Sequence, residues 1–483
     1  MSAFGRVPAV GRSTIPAPTG QRPIETMQDH DTVIAPARVL ALFAREEASF
    51  RERNPRSAEL TGAGLPGFYD GVPMHWMRDW PTPFPLVVAV AQGARLTDVD
   101  GHVYDDFCLG DTGAMFGHSP PAVATAISRQ AERGLTTMLA SEDAAEVGRL
   151  LQSRFGLPHW QVATTATDAN RFALRVARAV TRRPKILVFN GCYHGTVDET
   201  CVRLADGRPA HSPGLLGQYA DLTQATRVVE FNDVAGLEAA LAHRDVACVI
   251  TEPVLTNSCM VLPDPGFHAA LRRLSRDTGS LLLIDETHTI STGPGGYTRA
   301  HGLEPDLFVL GKPIAGGVPA AVWGFTDAVA GKLDAARAAA PPGHSGMGTT
   351  LSANALALAA MRAMLELVMT DAAYGHMEML AAELEAGLGA AIARLGLRWH
   401  VVRVGARVEF VCAPGPLGNG RAAEAAQKPD LERAINLALL NRGSLIAPFH
   451  NMMLTCPATT RHQVQRLCAV FEEVLADARL LEE

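Results

Sequence analysis

The chain has 483 residues, a formal net charge of −7, 47% hydrophobic residues and 19% charged ones. That length supports two or three domains, or one large domain with a smaller partner, and the ordinary balance of apolar and charged residues excludes a fibre or a disordered chain. The mild charge carries no block of one sign, so no nucleic-acid or anionic-membrane partner is expected, and the eight cysteines form no Cys-x-x-Cys pair, which speaks against a disulfide scaffold or structural zinc and for a reducing, cytoplasmic setting.

Residues 1–35 are rich in Pro, Gly and Arg without the apolar stretch of a secretory signal, and they read as a disordered or loosely packed tail. No run approaches a membrane span. Residues 36–112 are expected to pack with a small domain; within them 95–98 and 102–104 read as a hairpin around Asp100-Gly101. From about residue 160 short apolar strands alternate with amphipathic helices, the pattern of a parallel sheet with covering helices. The runs 186–189, 246–250, 281–284 and 307–310 do not alternate, which predicts strands buried on both faces. The stretches 169–179 and 267–276 carry apolar residues at helical spacing and read as crossover helices. Residues 113–345 are thus expected to form a large α/β domain. After Pro341-Pro342-Gly343 a helix is predicted over 354–368, continuing over 377–395. A strand at 406–412 follows, then helices at 429–441 and from 461 onward; 346–483 read as an interdomain helix and a small α+β domain.

Two buried strands end in chemically useful residues. The run 281–284 is followed by Asp285-Glu286, and 307–310 by Gly311-Lys312. A lysine can form a Schiff base with an aldehyde cofactor, and a carboxylate can keep a pyridinium nitrogen protonated. Either residue alone reads as a surface lysine or a capping acid. Thr164 to Asp168 precede a helix and offer hydroxyls and amides to an anion, or simply an N-cap. Tyr193 and His194 sit in a loop flanked by Gly191 and Gly195, where an aromatic ring can stack on a flat cofactor or be half-buried in a turn. Glu252 ends another strand at the same edge, where ligands of open α/β sheets bind. A further hydroxyl-rich turn, Thr349-Thr350-Leu351-Ser352, stands before the next helix.

The order of these blocks resembles the class III aminotransferases, fold type I enzymes that use pyridoxal 5′-phosphate, and within them the branch of glutamate-1-semialdehyde aminomutase and the β-amino-acid transaminases. The resemblance spans roughly residues 55–475. It rests on Ala166-Thr167-Asp168, Tyr193-His194-Gly195, Glu252-Pro253-Val254 with Asn257, Asp285-Glu286, Gly311-Lys312 with Gly316-Gly317, and Thr350-Leu351-Ser352. It implies a large domain with a mostly parallel central sheet and a smaller α+β domain. Lys312 would form the internal aldimine and shuttle a proton, and Asp285 would pair with the pyridinium. Thr165, Ala166 and Thr167 would bind phosphate and Tyr193 would stack on the ring, with His194, Glu252 and Thr287 also at the cofactor. Thr350 would reach the cofactor of a neighbouring subunit, implying a homodimer.

Some positions depart from the family pattern. Ala166 and Thr349 stand where glycine is usual, Thr287 where valine is, and His288, expected to be a hydrogen-bonded structural histidine, where an apolar residue is often found. The carboxylate-binding arginine of the β-amino-acid branch falls on Trp76. Arg78 lies close by; Trp76, Trp80, Met115 and Phe116 suggest an apolar or aromatic substrate pocket. Arg407 is another carboxylate partner to consider, although both arginines also read as solvated or ion-paired side chains. The implied activity is transfer of an amino group between a primary amine or amino acid and a keto acid or aldehyde. An aminomutase or epimerase would use the same residues, whereas a non-catalytic binding protein would have lost Lys312 or Asp285.

Overall fold

In chain order the strands of the computed structural model, which describes residues 34–62 and 64–480, begin with β1 (Val88–Gln92), β2 (Arg95–Asp98), β3 (Val103–Asp106) and β4 (His159–Ala163). They continue with β5 (Lys185–Phe189), β6 (Val202–Ala205), β7 (Arg208–His211), β8 (Thr226–Val229), β9 (Val246–Thr251) and β10 (Leu281–Asp285). Last come β11 (Leu307–Leu310), β12 (Ala321–Phe325), β13 (His400–Val404), β14 (Arg407–Val411), β15 (Ser444–Leu445) and β16 (Met452–Leu454). The expected tail lies, up to residue 33, outside the described residues.

The four non-alternating runs are the strands β5, β9, β10 and β11 of a seven-stranded sheet ordered β4-β12-β11-β10-β9-β5-β8. Successive side chains leave opposite faces. Ile186 and Val188 of β5 join Ala169, Phe172 and Val176 of the helix Ala166–Thr181 on one face, while Leu187 and Phe189 join Phe267, Leu271 and Leu274 of the helix Phe267–Thr278 on the other. Each such side chain contributes about 1.5–3 kcal/mol by leaving water, and Leu271→Ala would cost about 2–5 kcal/mol through the cavity it leaves. All strand pairs from β11 to β8 are parallel, but β12 runs antiparallel to both β11 and β4. β4 and β12 were not marked by apolar runs: β4 carries His159 and Gln161, and β12 contains Gly324, where a Cβ would lie 2.8 Å from the Trp160 ring.

The expected hairpin forms between β2 and β3, with β3 extending to Asp106 and pairing in parallel with the distant β15. This ties the N-terminal segment to the C-terminal part, as does the helix Pro36–Arg53, on which Asn441 Nδ2 donates to Glu46 O at 2.8 Å. The sheet β13-β14-β16 is antiparallel and packs on the helices Asp371–Arg394, Pro429–Asn441 and Arg461–Leu480. The predicted helix 354–368 is regular over Ala355–Ala363 and then widens into a π-helical turn, Met364–Val368. The next helix starts at Asp371, earlier than expected, because Thr370 caps it by accepting from Ala373 N at 3.2 Å. Because β12 is antiparallel to both its neighbours, β4, β9, β10 and β11 all end at one edge of the sheet, where Thr165, Glu252, Asp285 and Lys312 emerge.

Candidate active site

A cavity of about 360 Å³ opens at this edge and is lined by Thr165, Ala166, Thr167, Tyr193, His194, Glu252, Asp285, Thr287 and Lys312, so the fold gathers these sequence candidates in one place. Thr350 is exposed and does not line it; its neighbour Thr349 lies with Oγ1 3.5 Å from Thr164 Oγ1. A larger hollow of about 630 Å³ beside the helix Phe267–Thr278 is lined by no lysine, and its Arg272 and Arg276 are already paired with Asp306 and Glu304.

At one end stands Asp285, the last residue of β10. Its Oδ2 accepts from Asn170 Nδ2 at 2.8 Å and lies 3.0 Å from His194 Nδ1, while its Oδ1 accepts from the Thr287 amide at 3.2 Å. Burial opposes the charge on Asp285, yet His194 and Asn170 outweigh it and hold the carboxyl below its ordinary range. Burial likewise opposes the charge on His194, but Cys192 and Asp285 lift its imidazole to about 10. The result is a fixed buried anion able to face a cationic ring nitrogen.

Beside it the helix Ala166–Thr181 begins. Thr165 caps it, accepting from Asp168 N at 3.1 Å, and the amides of Ala166 and Thr167 precede the first intrahelical bond. Gly195, at φ 76°, approaches so closely that a Cβ there would strike the Thr167 side chain. The methyl of Ala166 packs against Gly311, where any Cβ would come within 2.7 Å of it. Helix-terminal amides and hydroxyls of this kind suit a phosphate.

At the other end is Lys312, itself at φ 42°. Its Nζ is 2.7 Å from Asp111 Oδ2 and 2.6 Å from His288 Nε2. Asp111 and Thr112 are also left-handed, at φ 46° and 80°, a cost of about 1–3 kcal/mol each. Arg407, fully buried, holds that loop: its Nη2 bonds Thr112 Oγ1 and lies 3.9 Å from Asp111 Oδ1. Burial opposes the Asp111 charge, but Lys312, His288 and Arg407 keep the carboxyl well below its usual range. His288 is pushed well below the usual histidine range by burial and then by Lys312 and Arg407, and burial brings His450 to about 4.

The expected substrate residues fare differently. Met115 and Phe116 are buried in the core, Phe116 edge-on to Tyr374, so they do not line the cavity; their apolar character serves packing. Trp80 packs on the same core and lines a separate apolar cavity of about 330 Å³. Trp76 is half-exposed against Phe449, and Arg78 forms an exposed ion pair with Asp70 at 3.0 Å; neither lines the cavity. Arg407 does lie close to Lys312, through Asp111. His288, read as structural, touches the lysine. Asn170, Asp111, Thr256 and His450 were not singled out, although a polar residue on the apolar face of 169–179 was a signal for Asn170.

An anion for a ring nitrogen, donors for a phosphate and an amine for an aldehyde fit pyridoxal 5′-phosphate. Among solved structures, the chain is 52% identical to a glutamate-1-semialdehyde aminomutase from Pseudomonas aeruginosa PAO1, covering 92% of this chain and 99% of that one with a TM-score of 0.90. A β-phenylalanine aminotransferase from Variovorax paradoxus matches at 26% identity over 91% of this chain and 97% of its own, with a TM-score of 0.81. Fold and site define a fold type I pyridoxal-phosphate enzyme. Residues 77–475 match the model of the family described as aminotransferase class-III. A glutamate-1-semialdehyde 2,1-aminomutase of Sorangium cellulosum is 37% identical over 404 residues, 81% of this chain and 89% of that protein. The chain belongs to the class III aminotransferases, a family of enzymes dependent on pyridoxal 5′-phosphate.

Proposed function

We propose that the protein moves an amino group between a primary amine or amino acid and a keto acid or aldehyde, with Lys312 as the catalytic amine and Asp285 as the counter-charge of the cofactor ring. The observation that carries this reading is Asp285, pinned as an anion by His194 and Asn170 in the cavity that also holds Lys312. The cofactor supplies an aldehyde that captures amino groups and a protonated ring that draws electrons from the substrate carbon. Thr165, Ala166 and Thr167 hold its phosphate, with Gly195 allowing the close approach, and Tyr193 covers one ring face. Thr287 accepts from Gly311 N at 3.2 Å, which locks the end of β10 to the turn carrying Lys312. Lys312 Nζ takes and returns the proton of the substrate carbon, and Glu252, pushed by burial to about 7, stands by as a second titrating group.

A second reading, an intramolecular aminomutase, is favoured by the 52% identity to a chain of that name over most of both lengths. A panel of amine donors tested against pyruvate and 2-oxoglutarate separates the two. Product formed only with an added carbonyl acceptor supports transfer; isomerisation or racemisation without one overturns it. We also propose a cytoplasmic homodimer. The support is the eight unpaired cysteines and the exposed, hydroxyl-rich turn at Thr350, which would complete the neighbour's phosphate site. Mixing inactive Lys312→Ala and Thr350→Ala subunits tests the sharing: lower activity than the mean of the separate variants contradicts it, and gain of activity supports it.

A further inference from the structure

His288 was expected to be a hydrogen-bonded structural histidine, yet its Nε2 is 2.6 Å from Lys312 Nζ. Its other nitrogen, Nδ1, lies 2.5 Å from Thr256 Oγ1, and Thr256 Oγ1 in turn bonds Glu252 Oε2. Glu252 Oε2 also accepts from the Thr256 amide at 3.4 Å and is 3.7 Å from His288 Nδ1. Every member except Lys312 is buried.

The bonding order fixes the direction of the chain. Thr256 has one hydroxyl hydrogen, and an ionised carboxylate can only accept. The hydroxyl therefore donates to Glu252, and its oxygen accepts from Nδ1–H of His288. That leaves the Nε2 lone pair for a hydrogen of Lys312. Asn257 Nδ2, 3.4 Å from Nδ1, is itself a donor and in this order makes no hydrogen bond to Nδ1–H. The remaining charged and titratable neighbours of His288 are Asp111, Arg407 and His450.

We propose that His288, Thr256 and Glu252 form a proton relay that removes a proton from Lys312 Nζ and returns it, making His288 a catalytic residue; the proposal rests on the role of Lys312 given above. A primary amine adds to a carbonyl only through its lone pair. Nζ has two partners, Asp111 Oδ2 at 2.7 Å and His288 Nε2 at 2.6 Å, and of these the relay is the one that carries a proton away. In the step, the N–H bond of Lys312 breaks and one forms at His288 Nε2. The Nδ1 proton passes to Thr256, whose own hydrogen passes to the Glu252 carboxylate. One proton moves from lysine to carboxylate and nothing is oxidised. Burial brings Glu252 to about 7, which lets it accept and release that proton near neutrality.

The test uses the holoenzyme and three variants, Thr256→Val, Thr256→Ser and His288→Gln, each checked for folding by thermal melting. The relay predicts that Thr256→Val and His288→Gln lower kcat at least about tenfold with little change in KM, and that the acid limb of the kcat profile moves to higher pH. Thr256→Ser, which keeps the hydroxyl, retains the wild-type profile. A second readout is the rate at which stripped protein takes up pyridoxal 5′-phosphate, followed by absorbance. It should fall at least about tenfold in Thr256→Val near neutral pH and recover in alkali, where Lys312 loses its proton directly to water. If borohydride fixes the cofactor on Lys312 but Thr256→Val and His288→Gln keep the wild-type profile and uptake rate, the relay is overturned and the role of Lys312 stands. If borohydride fixes no cofactor on Lys312, the reading beneath the relay fails as well.

Discussion

The two ends of the active-site cavity solve different electrostatic problems. At Asp285 one carboxylate is met by two side-chain groups and a backbone amide, and its imidazole partner is raised to about 10. At Lys312 an ammonium and a guanidinium share one carboxylate, His288 and His450 are both lowered, and Arg407 Nε and Nη1, Asp111 Oδ1 and His450 Nδ1 have no hydrogen-bond partner among the described residues. The first end is a permanent ion pair and supplies constant charge. The second gathers cations and neutral imidazoles around one carboxylate, so burial and neighbouring charge hold Asp111, His288 and His450 below their ordinary ranges.

The largest test of this contrast is Lys312→Ala. It should abolish turnover by at least about a hundredfold while leaving noncovalent cofactor binding intact; retained turnover in a steady-state assay would end the assignment. Asp285→Asn, at the opposite end, should lower kcat by about 10²–10³-fold, since it removes the charge but little volume. Near-normal kcat would mean that the ion pair with His194 is structural alone.

Asp111→Asn probes the second end through stability. It removes the carboxylate that lies within 4 Å of both Lys312 and Arg407 and should cost about 2 kcal/mol in urea unfolding, less than a fully buried pair because Asp111 is 28% exposed. An unchanged midpoint would show that the two cations are satisfied otherwise.

The histidines give the two ends opposite pH signs. His194 is raised above its unfolded value, so its contribution is fully present below about 6.5 and is lost as pH rises toward about 10. His450 is lowered to about 4, so the unfolded chain binds its proton first and stability falls as pH drops from about 6.5 to about 4. His194→Gln should therefore flatten the alkaline side of the stability curve and His450→Gln the acid side; matching curves for both variants would contradict the contrast. The smallest effect is expected for Arg78→Ala, which removes an exposed ion pair away from the cavity and should change kcat/KM by less than about twofold.

Much of the Asp285 end was legible in advance because it is local. An apolar run ending in an acid marks a buried strand and its carboxyl terminus, and Thr165 before an amphipathic run marks a helix start. At the Lys312 end the lysine was legible, whereas Arg407 and His288 were singled out for other roles and Asp111 and His450 not at all. Its other members come from the loop at Asp111, the turn at His288, the strand at Arg407 and the segment at His450, far apart in sequence, and none carries a spacing signal. Met115 and Phe116 misled for a related reason: an apolar side chain looks the same whether it lines a pocket or fills a core.

The sequence by itself determined the strands buried on both faces, their crossover helices and the edge where acid and lysine emerge, since hydrophobic periodicity and terminal residues act within a few positions of one another. Only the tertiary structure decided that β12 reverses, that Asn170 and His194 clamp Asp285, and that Asp111, Arg407, His288 and Glu252 converge around Lys312. Those outcomes depend on long-range packing and on the desolvation of charges brought together, which no stretch of chain specifies alone.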